Sequence, residues 1–277
     1  MSLTIFAKPQ HFFRNGIISH RYPHLYRTSS LVRGEQVAQY LGCKYNPTEG
    51  YEDDICIYVK PERKILDDIK DGSYVDIIDD FHYLVLFENR PKINIIFTSQ
   101  FHYDYFKDNI KNKSVCIPHH HCNFERAVRD RKEIKNVGFI GNKRGLEASV
   151  EELEARLGEI GMNFITNYDF KDREDVIDFY KQIDIQLIWK KDNFLSHTPM
   201  KLTNASSFGI PTVSKLCDNF KELDGFYITA GDSLDSLIVE IEKLKDQDYY
   251  NSWSKKLIPE MERYHIENIV KLYKELK

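Results

Sequence analysis

Short apolar runs alternate with helix-period stretches almost from one end of the chain to the other, and a charged segment divides that alternation near its middle. Alternation of this kind demands parallel strands covered by helices on both faces. The runs number about ten, and a single sheet of that width would be unusual. The sequence therefore predicts an α/β protein of two Rossmann-like domains with a helical C-terminal tail. The division falls in the polar stretch Asn123–Lys135, giving residues 1–130 and 131–277. A chain of 277 residues accommodates two such units, each of ~100–150 residues and able to bury its own core.

Apolar runs of strand length lie at Leu3–Phe6, Ile55–Val59, Tyr74–Ile78, Ile93–Thr98 and Val115–Pro118 in the first half. Those of the second half are Val137–Ile140, Asn163–Thr166, Ile183–Trp189, Pro211–Ser214 and Phe226–Thr229. Helix-like segments separate them at Ser30–Leu41, Glu62–Lys70, His102–Asn109, Leu146–Leu157, Arg173–Lys181, Pro199–Phe208 and Ser233–Leu244. Within Leu146–Leu157, Val150, Leu153 and Leu157 share one stripe, the spacing of an amphipathic helix. After Leu244 the pattern is wholly helical, through Tyr249–Arg263 and Ile266–Leu276. Such a tail packs along the second domain or reaches back to the first.

Hydrophobic content of 42% and charge of 30% are ordinary for a globular protein. A net charge of −4 argues against nucleic-acid binding, which leaves a basic footprint. No apolar run approaches the ~20 residues that span a bilayer, so no transmembrane segment is expected, while peripheral membrane contact stays open. The first eight residues turn polar too soon for a secretory signal. Five cysteines without repeated short spacing read as reduced thiols and a cytoplasmic location.

The most informative stretch is the buried run Ile183–Trp189 followed by Ser196–Ser214. Thr198 and Pro199 read as N-cap and first helical residue, and Gly209 as a left-handed stop. A helix N-terminus carries unpaired N–H groups and partial positive charge, which suits phosphate. Lys201, Asn204 and Phe208 fall on one face at steps of three and four. The segment is a cradle for a nucleoside diphosphate.

In these features the sequence resembles the donor-binding half of glycosyltransferases with the GT-B fold. The motif stands here as Lys201-Leu202-Thr203-Asn204-Ala205, closed by Gly209-Ile210-Pro211. Val137-Gly138-Phe139-Ile140-Gly141-Asn142 is similar to the strand opening the donor domain, and Ile96–Ser99 with Val115–His119 to the last two strands of the acceptor domain. The likeness covers residues 93–245. It implies a GT-B-like pair of Rossmann-like domains facing a central cleft, the acceptor in residues 1–130 and a nucleotide sugar, of UDP or GDP type, in residues 131–277. The acceptor would be a glycan, a lipid-linked sugar or a small aglycone, as in polysaccharide biosynthesis. No cofactor and no metal are implied, the nucleotide sugar being a substrate. Many retaining members carry two glutamates eight positions apart. The matching places fall near Ser196 and Asn204, and neither is acidic, which leaves stereochemistry open.

Glycosyl transfer requires neutralisation of the leaving diphosphate and a base for the acceptor hydroxyl. For the first, Gly141-Asn142-Lys143-Arg144-Gly145 sets a cationic pair between glycines at the C-terminal edge of a parallel sheet, where ligands of open α/β folds bind. With Thr198, Lys201 and Asn204 these form the expected donor site. For the second, Asp80 and His82 follow the Tyr74–Ile78 strand and are the candidate bases. His20, His24 and Arg27, in a long early loop, together with His119, are the expected acceptor contacts.

Two metal readings are weaker. In Cys116-Ile117-Pro118-His119-His120-His121-Cys122, neighbouring extended residues point to opposite sides, and no second ligand pair follows at zinc spacing. Asp76, Asp79 and Asp80 do not form the Asp-x-Asp of metal-dependent single-domain glycosyltransferases. Two further alternatives keep the same architecture. The missing acidic pair suits a non-catalytic nucleotide- or glycan-binding module, and the paired domains suit a nucleoside-diphosphate-sugar epimerase.

Overall fold

The computed structural model describes residues 2–8, 13–14, 17–18, 28–129, 131–190 and 198–277. The chain folds as two compact units, Met1–His120 with Ile266–Lys277, and His121–His265. The first contains β1 (Leu3–Ala7), a short antiparallel pair β2 (Phe13–Arg14) and β3 (Ile17–Ile18), β4 (Lys44–Tyr45), β5 (Ile55–Val59), β6 (Tyr74–Ile78), β7 (Asn94–Phe97) and β8 (Ser114–Cys116). Its six-stranded sheet is parallel throughout, in the order β4-β1-β5-β6-β7-β8. A π-helical turn, Ser30–Glu35, runs into α1 (Gln36–Leu41); α2 (His82–Leu86) and α3 (Gln100–Phe106) join the later strands. Val75 and Ile77 of β6 enter an apolar layer with Tyr83, Phe87 and Phe97. Strand alternation sends Asp76 to the other face.

The second unit has β9 (Asn136–Ile140), β10 (Asn163–Asn167), β11 (Ile185–Ile188), β12 (Thr212–Lys215) and β13 (Ile228–Ala230) in the parallel order β10-β9-β11-β12-β13. Its helices are α4 (Val150–Glu159), α5 (Arg173–Gln182), α6 (Met200–Ser207), α7 (Leu234–Lys243) and α8 (Gln247–Met261). Leu153 and Leu157 of α4 and Leu237 and Ile241 of α7 bury against Val137, Ile185, Leu187 and Val213. Phe179 and Tyr180 of α5 pack with Ala205 and Phe208 on another layer. Both units are α/β with Rossmann-like parallel sheets, as the alternation predicts. Among the described residues no helix is long and apolar enough to cross a membrane.

The compact units divide at His120/His121 rather than at 130/131, and the last helix, α9 (Ile266–Lys274), belongs to the first unit, where it packs on α1. The polar segment that reads as a linker is held to the second unit by hydrogen bonds. The Cys122 amide donates to Asn204 Oδ1 at 2.8 Å, and Asn123 Nδ2 donates to Ser207 O at 2.9 Å. The expected helix Glu62–Lys70 is a single 3-10 turn, Arg63–Ile65. Arg90 donates to the Leu66 and Ile69 carbonyls, a tertiary partner that replaces the helical one.

A buried ion pair ties the second sheet to its edges. Arg131 Nη1 lies 2.6 Å from Asp184 Oδ1, both side chains being 3% exposed. Asp184 Oδ2 accepts from the Lys135 and Asn136 amides at 2.8 and 2.7 Å, where β9 begins. Removing one partner of such a pair leaves the other charged and enclosed. Asp184→Ala is expected to destabilise this unit by about 3–5 kcal/mol. Asp178→Ala, which loses only the exposed pair with Lys181, is expected to cost about 0.2–1 kcal/mol. Trp189 and Trp253 both lie in this unit, so urea unfolding followed by tryptophan fluorescence measures the difference.

Candidate functional site

Four of the five helices described in the second unit begin on a side-chain cap: Ser149, Asp172, Ser233 and Asp246 each accept from the amide three residues on. α6 has none. The expected cap is displaced by one residue. Pro199, with φ −72° and ψ 8°, occupies the cap position, and Thr198 lies half-buried before it. A proline cap offers neither a hydroxyl nor a carboxylate, so among the described residues no cap side chain answers the first-turn N–H groups. The far end is closed as expected. Gly209 has φ +74°, and the Gly209 and Ile210 amides donate to Ser206 O and Ala205 O at 2.9 and 3.1 Å.

Lys201, in that uncapped first turn, meets the loop after β9. Gly141 has φ +126°, and a Cβ there would lie 2.7 Å from Lys201 Nζ. That φ favours glycine, and the lysine's end packs into the space a side chain would take. The ammonium also sits 4.4 Å from the centre of the Phe139 ring. Lys190, just past β11, packs on the other end of the same loop, its Cε 3.1 Å from where a Gly145 Cβ would be. Two lysines thus bracket Gly141–Gly145. Lys201 as a whole residue keeps some exposure, but its charged end is enclosed. Burial first, and the neighbouring Lys190 charge second, lower its pKa to about 7. Burial likewise lowers that of Lys190. Neither ammonium has an acidic partner among the described residues, and an anion would supply one.

Of the other expected donor residues, Asn142 and Lys143 are exposed on that loop, and Arg144 lies in its 3-10 turn, Lys143–Gly145. Asn204 is 8% exposed, and its carbonyl oxygen accepts from the Cys122 amide. Lys190 escaped the motif reading because it belongs to no pattern, although its place after a buried strand marks the ligand edge of a parallel sheet.

In the first unit, Asp80 is half-buried after β6, and His82 is the exposed first residue of α2. Beside them the structure adds a pair with no sequence signature, Lys60 Nζ and Asp79 Oδ1 at 2.5 Å. Lys60 and Ile78 end adjacent strands with φ of 43° and 56°, and the β6–β7 register slips between Asp76 and Ile78. A left-handed β-branched residue is strained, and such strain collects at functional edges. Asp76 turns inward to Arg33 at 2.7 Å, both fully buried. His119, 5% exposed, is held neutral because burial, then the Arg33 charge, push its pKa well down. His20, His24 and Arg27 lie outside the described residues. Burial pushes the Cys122 thiol up to about 12, and among the described residues no group of three His, Cys, Asp or Glu side chains is placed to hold a metal. A cavity of about 390 Å³, lined by Leu3, Leu41, Lys44 and Lys274, opens at the edge where β1 and β4 begin, away from these groups.

No protein-family model and no curated protein sequence matches the chain. Solved structures match its fold. The pneumococcal O-GlcNAc transferase GtfA, in complex with UDP and GlcNAc, is similar over 79% of this chain and 56% of its own, with a TM-score of 0.54 and 11% identity. An α,α-trehalose-phosphate synthase (UDP-forming) from Burkholderia xenovorans, in complex with glucose-6-phosphate, gives 0.56 and 10% over 82% and 73%. Sucrose-phosphate synthase from Thermosynechococcus elongatus gives 0.53 and 11% over 80% and 68%. The chain has the GT-B glycosyltransferase fold, and it spans just over half the length of GtfA.

The lysine pair gives a direct test. A base with a depressed folded pKa binds fewer protons folded than unfolded between pH 7 and its unperturbed value of ~10.4, so its contribution to stability grows as pH rises through that window. Lys190→Met removes the like charge. The Lys201 titration, followed by NMR of isotope-labelled lysine side chains, is expected to move upward from about 7 without reaching the unperturbed value, because burial remains. An unmoved titration would show that the two ammonium groups do not interact.

Proposed function

We propose that the chain is a glycosyltransferase that moves a sugar from a nucleoside-diphosphate sugar to a hydroxyl acceptor. The supporting observation is the convergence at one sheet edge of an uncapped helix start, a glycine loop approached to contact by Lys201, and a second lysine at the loop's far end. Charge on the leaving diphosphate grows as the glycosidic bond breaks. Fixed N–H groups and ammonium groups in a desolvated place stabilise that charge without reorganising. Asp80 and His82, past β6, are the candidates for taking the acceptor's proton. The fold likeness supports the class and leaves base, sugar, acceptor and stereochemistry to experiment.

A second reading follows from Asn204. With its oxygen engaged by Cys122 and no acid at that position, a nucleotide-binding module without transfer activity fits the same geometry. Product analysis separates the two: an active donor site releases some free sugar from its nucleotide sugar over hours.

Calorimetric titration with UDP and GDP tests both readings, and binding by neither would remove them. Lys201→Ala is expected to weaken nucleotide binding at least tenfold, the effect of losing one charge-assisted contact of about 1.5–3 kcal/mol. The bound diphosphate restores the Lys201 proton, so wild-type binding at pH 8 takes up a fraction of a proton, and affinity declines as pH rises above about 7. Titrations in buffers of different ionisation enthalpy measure the uptake, and Lys201→Ala is expected to abolish it.

A further inference from the structure

The first unit encloses a polar cluster that the reading above does not use. Asp76, on the β6 face opposite Val75 and Ile77, accepts from Arg33 Nε through Oδ2 at 2.7 Å. Arg33 Nη1 donates to Pro118 O at 2.7 Å, which brings His119 alongside, and its guanidinium carbon lies 5.4 Å from the ring centre of Tyr273 on α9. Arg33, Asp76 and Tyr273 are fully buried and His119 is 5% exposed. Each has one polar atom without a hydrogen bond of acceptable geometry among the described residues, Arg33 Nη2, Asp76 Oδ1, His119 Nδ1 and Tyr273 Oη, although the Tyr273 hydroxyl lies close to the Asp76 carboxylate and the Ile78 amide also faces that carboxylate. Buried polar atoms without partners are rare, because each forfeits the hydration it had in the unfolded chain. Four on contiguous groups mark a place built around something else.

We propose that these four groups form a binding site for a neutral hydroxyl-bearing ligand. The charge pattern selects that class. The Arg33 and Asp76 charges cancel, so an anion would face the Asp76 oxygen and a cation the guanidinium. A hydroxyl accepts from Arg33 Nη2 and donates to Asp76 Oδ1, while the Tyr273 hydroxyl and the His119 imidazole adapt as donor or acceptor. Burial keeps His119 neutral, and the charges of Arg33, His120 and Lys60 act in the same direction. Burial also drives the Tyr273 hydroxyl pKa far up, so it stays protonated. His120, on the same turn, is engaged with Val32 O at 2.8 Å. The slipped register at Ile78 and the Lys60 amide, which donates to Asp76 O at 3.0 Å, fix the strand that presents the carboxylate. Water and a sugar hydroxyl share this chemistry. The inference stands whether or not the chain transfers sugars.

Crystals of the full chain, diffracting well enough to show ordered water, test it in three arms: unsoaked, soaked in N-acetylglucosamine, and soaked in inorganic phosphate. An oxygen within hydrogen-bond reach of at least three of the four atoms is expected in the unsoaked crystal. If the sugar displaces it, the ligand is a carbohydrate hydroxyl; if it stays, the ligand is water. Phosphate at that position, or side chains closing directly on one another, would overturn the proposal. Tyr273→Phe gives an independent sign. A hydroxyl bonded to a ligand is missed on removal, lowering Tm by about 2–4 °C. Removing an unpartnered buried hydroxyl would instead leave Tm unchanged or raise it, and that result too would overturn the site.

Discussion

A lysine ammonium packed against a glycine, with no carboxylate among the described residues to answer it, is the constraint around which the second unit is organised. Gly141 holds a positive φ that other residues rarely adopt, and it lies against Lys201 Nζ. Enclosing an ammonium without a counter-charge is unfavourable, and its lowered pKa is the signature of that cost. The fold tolerates it because the surrounding elements are over-determined. β9 is held at its start by Asp184, and α6 is held at its far end by Gly209 and by the Asn204–Cys122 and Asn123–Ser207 hydrogen bonds. The unfavourable charge is confined to the end of α6 that has no cap.

The two sheets treat charge in opposite ways at their C-terminal edges. In the first unit Arg33 is matched with Asp76 and Lys60 with Asp79. In the second, Lys190 and Lys201 repel. Matched pairs orient hydrogen bonds without attracting ions, whereas like charges near a helix N-terminus attract anions. This contrast agrees with a diphosphate in the second unit and neutral, hydroxyl-bearing chemistry in the first. The backbone strain follows the same division. Lys60 and Ile78 adopt left-handed conformations without glycine's freedom, whereas the donor-like edge places a glycine, Gly141, at its strained point.

Much of the architecture was legible because buried parallel strands are nearly continuous apolar runs. Ile55–Val59 and Tyr74–Ile78 stand where the apolar pattern places them, residue for residue. α5 begins at Arg173, where the helix-like segment of the sequence begins, and the Asp172 side chain caps it. Elements too short for a period were not legible. α2 is five residues long, and β4 is two. The Glu62–Lys70 segment has helical spacing, but Arg90, more than twenty positions away, takes its carbonyls. No local pattern could announce that competition.

Local chemistry thus determined the strand runs, the cap at Asp172, the left-handed stop at Gly209 and the prominence of Lys201. Each depends on residues within a few positions of one another. Tertiary structure decided which cations stand together, that Asn204 holds the Cys122 amide, that the chain divides after His120, and that α9 completes the first unit. Those outcomes depend on burial and on distances between residues far apart in sequence. A lysine reads the same in sequence whether it is solvated or pressed against a glycine; only packing lowers its proton affinity and makes it a site.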